Sequence, residues 1–188
     1  MAKLGAVERA AGRIFATVGM ADVAAHEPLP PAELAGYQRG GRAWVAVDGD
    51  DRPVAYVLVD VVDGGAHIEQ LSVHPDAGRQ GIGARLVDTV AEWAVASELD
   101  RLTLITFRDV AWNRPYYERL GFRVLPDDRL GPGLAARRRA EPASGLDPTQ
   151  RVCMYRPVGS GVGRDEDGAR NGTPSSEPGW VAGTRPSL

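Results

Sequence analysis

Six residues in the middle of the chain, Gly78-Arg79-Gln80-Gly81-Ile82-Gly83, have the composition of an anion-binding turn. They follow an apolar run, Ala66 to His74, that reads as a strand, and they lead into a stretch to about Leu99 that reads as a helix. Where closely spaced glycines open a helix, bare backbone N–H groups converge and the helix dipole favours negative charge. Two familiar phosphate loops are excluded. No Gly-x-x-x-x-Gly-Lys-Ser/Thr run is present, so this is not a nucleoside-triphosphate loop. A dinucleotide-type Gly-x-Gly-x-x-Gly starting at Gly81 would need glycine where Leu86 stands, and no βαβ unit surrounds it. A glycine turn can also serve only to bring a helix close to a sheet, and the loop by itself leaves both roles open.

Other side chains with chemical potential are sparse. His26, His67 and His74 are not at metal-ligand spacing and read as loop or strand-end residues, so no metal is expected. Cys153, the single cysteine, can form neither an intramolecular disulfide nor a Cys-x-x-Cys pair; it reads as a small buried hydrophobe, and a cytoplasmic setting is expected. Arg137-Arg138-Arg139 reads as the solvated face of a short helix rather than a nucleic-acid site.

The elements that would position these residues follow from periodicity. Val7, Ala10, Ala11, Ile14, Phe15 and Val18 recur at helical spacing, and Pro31 to Tyr37 is a second helix with proline at its start. Ala43–Val47 and Val54–Val62 flank an Asp-Gly turn and should pair antiparallel. Beyond the glycine loop, Leu86, Val87, Val90, Trp93 and Ala94 share one helix face. Arg101–Phe107 is a strand, Asn113 to Leu120 a helix ended by Gly121, Phe122–Leu125 a strand, Gly133–Ala140 a helix, and Arg151–Arg156 a last strand. This order points to an α+β fold with one mainly antiparallel sheet flanked by helices.

The chain has 188 residues, 25% charged and 43% hydrophobic, and 22 Lys+Arg against 25 Asp+Glu give a net charge of −3. That balance lacks the basic excess of a nucleic-acid binder, and no apolar run approaches the roughly 20 residues of a membrane span. Neither a membrane nor an export role is expected. From Val158 to Leu188 glycine, proline and serine dominate, so residues 1–157 read as the domain and 158–188 as a tail, with Trp180-Val181 as the one pair able to dock.

Three segments taken together carry a resemblance. Leu71-Ser72-Val73-His74-Pro75, the Gly78–Gly83 loop with its amphipathic helix, and Asn113-Arg114-Pro115-Tyr116-Tyr117-Glu118-Arg119-Leu120-Gly121-Phe122 resemble the GNAT superfamily of acyl-CoA-dependent N-acetyltransferases over about residues 7–157. One departure stands out: the family loop commonly begins with Gln or Arg, and here Gly78 does. The resemblance implies a splayed mixed sheet and acetyl-CoA as cosubstrate. The backbone N–H groups of Arg79, Gln80, Gly81, Ile82, Gly83 and Ala84 would hold the pyrophosphate. The strand Leu71, Ser72 and Val73 would pair with the pantetheine arm, and Asn113, able to cap its helix, would also contact the cosubstrate.

In such an enzyme Tyr117, which precedes Glu-x-x-Gly-Phe as in the family, would be the acid that meets the departing thiolate, while Tyr116 would pack or touch the acceptor. Glu69 would be the base, directly or through water. Strict alternation places Glu69 on the side of Leu71 and Val73, and only a β-bulge would turn it toward an acceptor; the apolar Ile68 on the parity of polar Gln70 and Ser72 already suggests one. The acceptor is expected to be a primary amine of a small molecule or peptide, shaped by Val7 to Gly41 and attracted by Asp22, Glu27 and Glu33. A fold that binds acetyl-CoA without turnover is the alternative, and a homodimer is left open.

Overall fold

The computed structural model of the protein describes residues 2–159 and 180–181. In chain order the elements are α1 (Ala2–Gly12), a 3-10 segment Arg13–Val18, α2 (Ala21–Ala24), α3 (Pro31–Arg39), β1 (Ala43–Val47), β2 (Pro53–Val62) and β3 (Gly65–Val73). There follow α4 (Ile82–Ala96), β4 (Arg101–Phe107), α5 (Arg114–Arg119), β5 (Arg123–Leu125), α6 (Pro132–Ala140), β6 (Arg151–Pro157) and β7 (Trp180–Val181). The strands form one sheet in the order β5-β6-β4-β3-β2-β1-β7. Every neighbouring pair is antiparallel except β3 with β4. The expected α+β fold with a mainly antiparallel, mixed sheet is what the chain adopts. Among the described residues no helix is long and apolar enough to cross a membrane.

Alternation along β2 separates two cores. Val57 and Val59 pack with Leu86, Val87 and Val90 of α4, whereas Tyr56 and Leu58 pack with Leu4 and Val7 of α1 and Leu34 of α3. α4 therefore covers one face and α1 with α3 the other, as a period of two along the strand demands.

One expectation changes here. The first helix stops at Gly12 and tightens into the 3-10 turn, leaving Ile14 and Val18 exposed. The tightened turn carries Phe15 onto an aromatic group, 5.3 Å from the ring of Phe107 and 6.0 Å from that of Trp112. The tail reading meets the structure at two places: Val158 packs on the core, with its N–H donating to the Asp100 carbonyl at 2.9 Å, and Trp180–Val181 pair with Ala46 and Val45 as an edge strand. The rest of the tail, 160–179 and 182–188, lies outside the described residues.

Candidate active site

The sheet opens at one residue. On β3 the register against β2 runs Leu58 with Gln70 and then Val59 with Ile68, so Glu69 is the extra residue of a β-bulge. On its other edge β3 meets β4 only at Ala66, His67 and Ile68, opposite Leu102, Thr103 and Leu104. Past the bulge the two strands part, and the edge of Leu71, Ser72 and Val73 facing β4 takes no partner among the described residues. The backbone groups on such an edge can accept an extended, amide-bearing chain as if it were a strand.

The bulge carries Glu69 into a cavity of about 220 Å³ whose lining includes His67, Ile105, Arg137, Glu141 and Arg151. Arg137, on α6, bridges two carboxylates: its Nη1 donates to Glu69 Oε2 and its Nη2 to Asp60 Oδ2 at 2.6 Å. Asp60 also accepts from Arg42 Nη1 at 2.5 Å and from the Tyr37 hydroxyl at 3.1 Å. Burial pushes the Glu69 carboxyl above its ordinary pKa; Arg137 works against that shift and Asp60 adds to it. His67 is 3% exposed, and its Nδ1 is bonded to Thr103 Oγ1 at 2.9 Å. Burial lowers the imidazole pKa to about 4, so the ring is neutral at pH 7.

At the end of the same strand lies the glycine loop. Gly81 caps α4 with φ of 74°, a left-handed conformation that suits glycine, and Arg79 holds φ of 61°. The first N–H bonded inside the helix turn is that of Arg85, to the Gly81 carbonyl at 3.0 Å, so the N–H groups of Ile82, Gly83 and Ala84 precede any intrahelical acceptor. Gly83 lets Tyr116 approach the helix start: a Cβ there would lie 2.6 Å from the Tyr116 hydroxyl oxygen, so one of the two would have to shift. A second hollow of about 430 Å³, lined in part by Arg52, His74 and Gln80, lies beside the β1–β2 hairpin and includes neither Glu69 nor Tyr117.

α5 brings Asn113 and Tyr117 to the β4 side of the opening. Asn113 does not cap the helix with its side chain; Nδ2 donates instead to Thr106 Oγ1 at 2.8 Å. That bond draws the side chain back to β4 and leaves Oδ1 buried with no hydrogen-bond partner among the described residues. Tyr117 packs edge-on against Tyr116 and Phe122, and burial raises its phenol pKa above the ordinary value. Its hydroxyl has no hydrogen-bond partner among the described residues.

The structure thus brings Glu69, Leu71, Ser72, Val73 and the loop Arg79, Gln80, Gly81, Ile82, Gly83 and Ala84 onto one continuous stretch, with Asn113 just before α5 and Tyr117 on it, beyond the opening. It corrects the readings of Arg137, Arg138 and His67. Arg137 and Arg138 are not a solvated face: Arg138 pairs with Glu141 at 2.5 Å, and only Arg139 is exposed. His67 is no strand-end residue but a buried member of the cavity wall, and its alternation with Glu69 was the available signal. Asp22, Glu27 and Glu33 are exposed, and none of Val7 to Gly41 lines the cavity. Cys153 is buried, its thiol pKa raised to about 11 by burial.

Comparison with known proteins bears on the fold and the family. The acetyltransferase (GNAT) family model matches residues 6–122. Aminoglycoside 6'-acetyltransferase type Ii superposes with a TM-score of 0.56 at 19% identity, covering 85% of this chain and 90% of that one. The PaiA N-acetyltransferase from Thermoplasma acidophilum, solved with coenzyme A, gives 0.54 at 12% identity, with 82% and 91% covered. N-acetylglutamate synthase from Neisseria gonorrhoeae, solved with coenzyme A and N-acetyl-glutamate, gives 0.56 at 18% identity over 71% of this chain, which spans 29% of that longer one. At such identities the likeness is one of fold. The family model covers more than half of the sequence, and by that measure this chain belongs to the acetyltransferase (GNAT) family.

Proposed function

We propose that residues 1–157 form an N-acetyltransferase domain that moves an acetyl group from acetyl-CoA to a primary amine of a small molecule or peptide, by direct attack of the amine on the thioester. The observation that carries this is the bulge at Glu69. One extra residue both parts β3 from β4 and sets a carboxylate of raised pKa beside a cavity, on the strand that runs into the glycine loop.

The residues present fit the cosubstrate. The N–H groups of Arg79 to Ala84 suit a pyrophosphate, and the open edge of Leu71, Ser72 and Val73 suits the pantetheine amides. The orphaned Asn113 Oδ1 lacks the N–H donor that such an amide supplies. When bound, acetyl-CoA supplies an activated acyl carbon and a thiolate leaving group. Glu69 takes a proton from the acceptor ammonium, directly or through water, so that a neutral nitrogen forms the C–N bond as the C–S bond breaks. Tyr117 faces the sulfur in this reading. A phenol of pKa about 10 is a weaker acid than a thiol of about 8.5, so full transfer to a free thiolate runs uphill by about 2 kcal/mol, and burial of Tyr117 adds to that. Tyr117 therefore acts by donating a hydrogen bond as charge grows on sulfur, with the amine's own proton completing the balance.

The test is melting of the protein with and without acetyl-CoA, followed by free-thiol release across a panel of amines. Stabilisation with thiol release on at least one amine is expected. Stabilisation with no release on any amine would favour a binding module, and no stabilisation would remove the cosubstrate.

A further inference from the structure

We propose that Arg137 is the positioning residue of the base: it fixes the Glu69 carboxylate at the cavity wall and keeps it ionised, so that α6 belongs to the catalytic apparatus. The inference rests on the reading of Glu69 as the base.

Glu69 sits in a bulge, where the ladder that aims ordinary strand side chains is interrupted. Its orientation must come from elsewhere, and Arg137 supplies it by donating from Nη1 to Oε2. The other nitrogen of the same guanidinium holds Asp60, so two carboxylates from neighbouring strands are kept apart by one planar cation. Asp60 has a second cation in Arg42 and a donor in Tyr37. Glu69 has no such reserve. Arg151, on β6, also favours its ionised form, but Arg151 Nε is bonded to Glu141 at 2.8 Å and Nη2 to the Ile105 carbonyl at 3.2 Å. His67 Nε2 stands 3.9 Å from Glu69 Oε2 and carries no charge at neutral pH. Asp60 and Glu141 therefore face Glu69 with negative charge, Tyr37 is a neutral phenol, and Arg137 is the one cation bonded to it among the described residues.

The position of Arg137 is itself built. The carboxylate of Asp63, in the β2–β3 turn, accepts from the N–H groups of Gly133 at 2.8 Å and Leu134 at 2.9 Å, anchoring the first turn of α6 to the sheet. Gly131 and Gly133 permit this approach, since a Cβ at either would fall within 3 Å of Asp63.

Arg137→Met, Arg137→Lys and Glu69→Gln test the idea through the pH profile of kcat/KM and through a 13C NMR titration of the Glu69 carboxyl in the free protein. In Arg137→Met the low-pH limb and the Glu69 titration should both move to higher pH by about one to three units, the effect of losing an opposite charge at contact distance. Arg137→Lys should restore most of it. A helix that merely props the cavity would lower activity at every pH and leave the limb in place. An unmoved Glu69 titration in Arg137→Met, with the limb lost in Glu69→Gln, would overturn the role of Arg137 alone; a limb that survives Glu69→Gln would overturn the base itself.

Discussion

Tyr117 and Tyr116 are adjacent in sequence yet do different work in space. The Tyr116 hydroxyl abuts Gly83 at the start of α4, whereas Tyr117 lies against Phe122 and Tyr116 with no hydrogen-bond partner for its hydroxyl among the described residues. Among the described residues the buried polar atoms without a partner include Asn113 Oδ1 but not the Tyr117 hydroxyl, which meets solvent and is open to a ligand atom. Tyr117→Phe should therefore lower kcat by about 10²–10⁴-fold, the range for a positioned proton donor, while acetyl-CoA affinity stays within a few-fold. Steady-state kinetics beside equilibrium titration of the same variant checks this, and unaltered kcat would remove Tyr117 from the chemistry. The Glu69 profile has its own sign. A base works only when deprotonated, and because burial raises this carboxyl, activity should fall with decreasing pH at values above the ordinary carboxylate range.

At the scale of elements, the contact between α4 and α5 passes through one glycine. Gly83→Ala places a methyl against the Tyr116 hydroxyl and should cost about 1–3 kcal/mol of stability, the usual range for overpacking, with weaker acetyl-CoA binding. Adding Tyr116→Phe removes the offending oxygen and leaves the ring's Cζ at 3.6 Å, an ordinary contact, so the double variant should recover most of the loss in thermal denaturation. α6 hangs on a different residue. Asp63→Ala deletes the cap that accepts from Gly133 and Leu134 and should destabilise by about 1–2 kcal/mol. Asp63→Asn keeps one acceptor and tolerates the left-handed backbone at φ of 50°, so it should lose less in the same denaturation experiment.

These elements also show what was legible from the residues. Strand alternation and helical spacing locate nearly every element, and the break in alternation at Ile68, Gln70 and Ser72 announces the bulge that governs the site. Arg137 leaves no such trace. Its bond to Glu69 joins residues 68 apart, and nothing periodic connects a basic run on one helix with an acid on a distant strand. The same holds for His67 with Thr103, 36 residues apart. Asn113 is a more local case, its preference for a helix cap yielding to Thr106, at the end of the strand just before it. Local patterning fixes periodicity; ion pairs and buried polar contacts answer to tertiary proximity.

For the molecule as a whole, the sheet's outer edge is closed by Trp180–Val181 on β1, through two register pairs. So short an addition contributes little, because net gains per backbone hydrogen bond are about 1 kcal/mol and the ordering of the chain offsets them. A chain ending at Gly159, which retains Val158 on the core, should lose no more than about 1–2 kcal/mol in denaturant unfolding and bind acetyl-CoA as the full chain does. A larger loss would make Trp180 a structural member of the domain.

The three-residue union of β3 and β4 has a mechanical side. The sheet is two half-sheets, β1 to β3 and β4 to β6, riveted at Ala66, His67 and Ile68 and clasped by α4 on one face. On the other face the clasp is ionic: α6 reaches the first half through Arg137 and Asp63, and through Arg138 and Glu141 it is tied to Arg151 of the second. An extended molecule laid into the gap would act as a tenon, joining the halves along a length that the protein leaves undone, so that the load carried by a short rivet is shared whenever the cleft is filled.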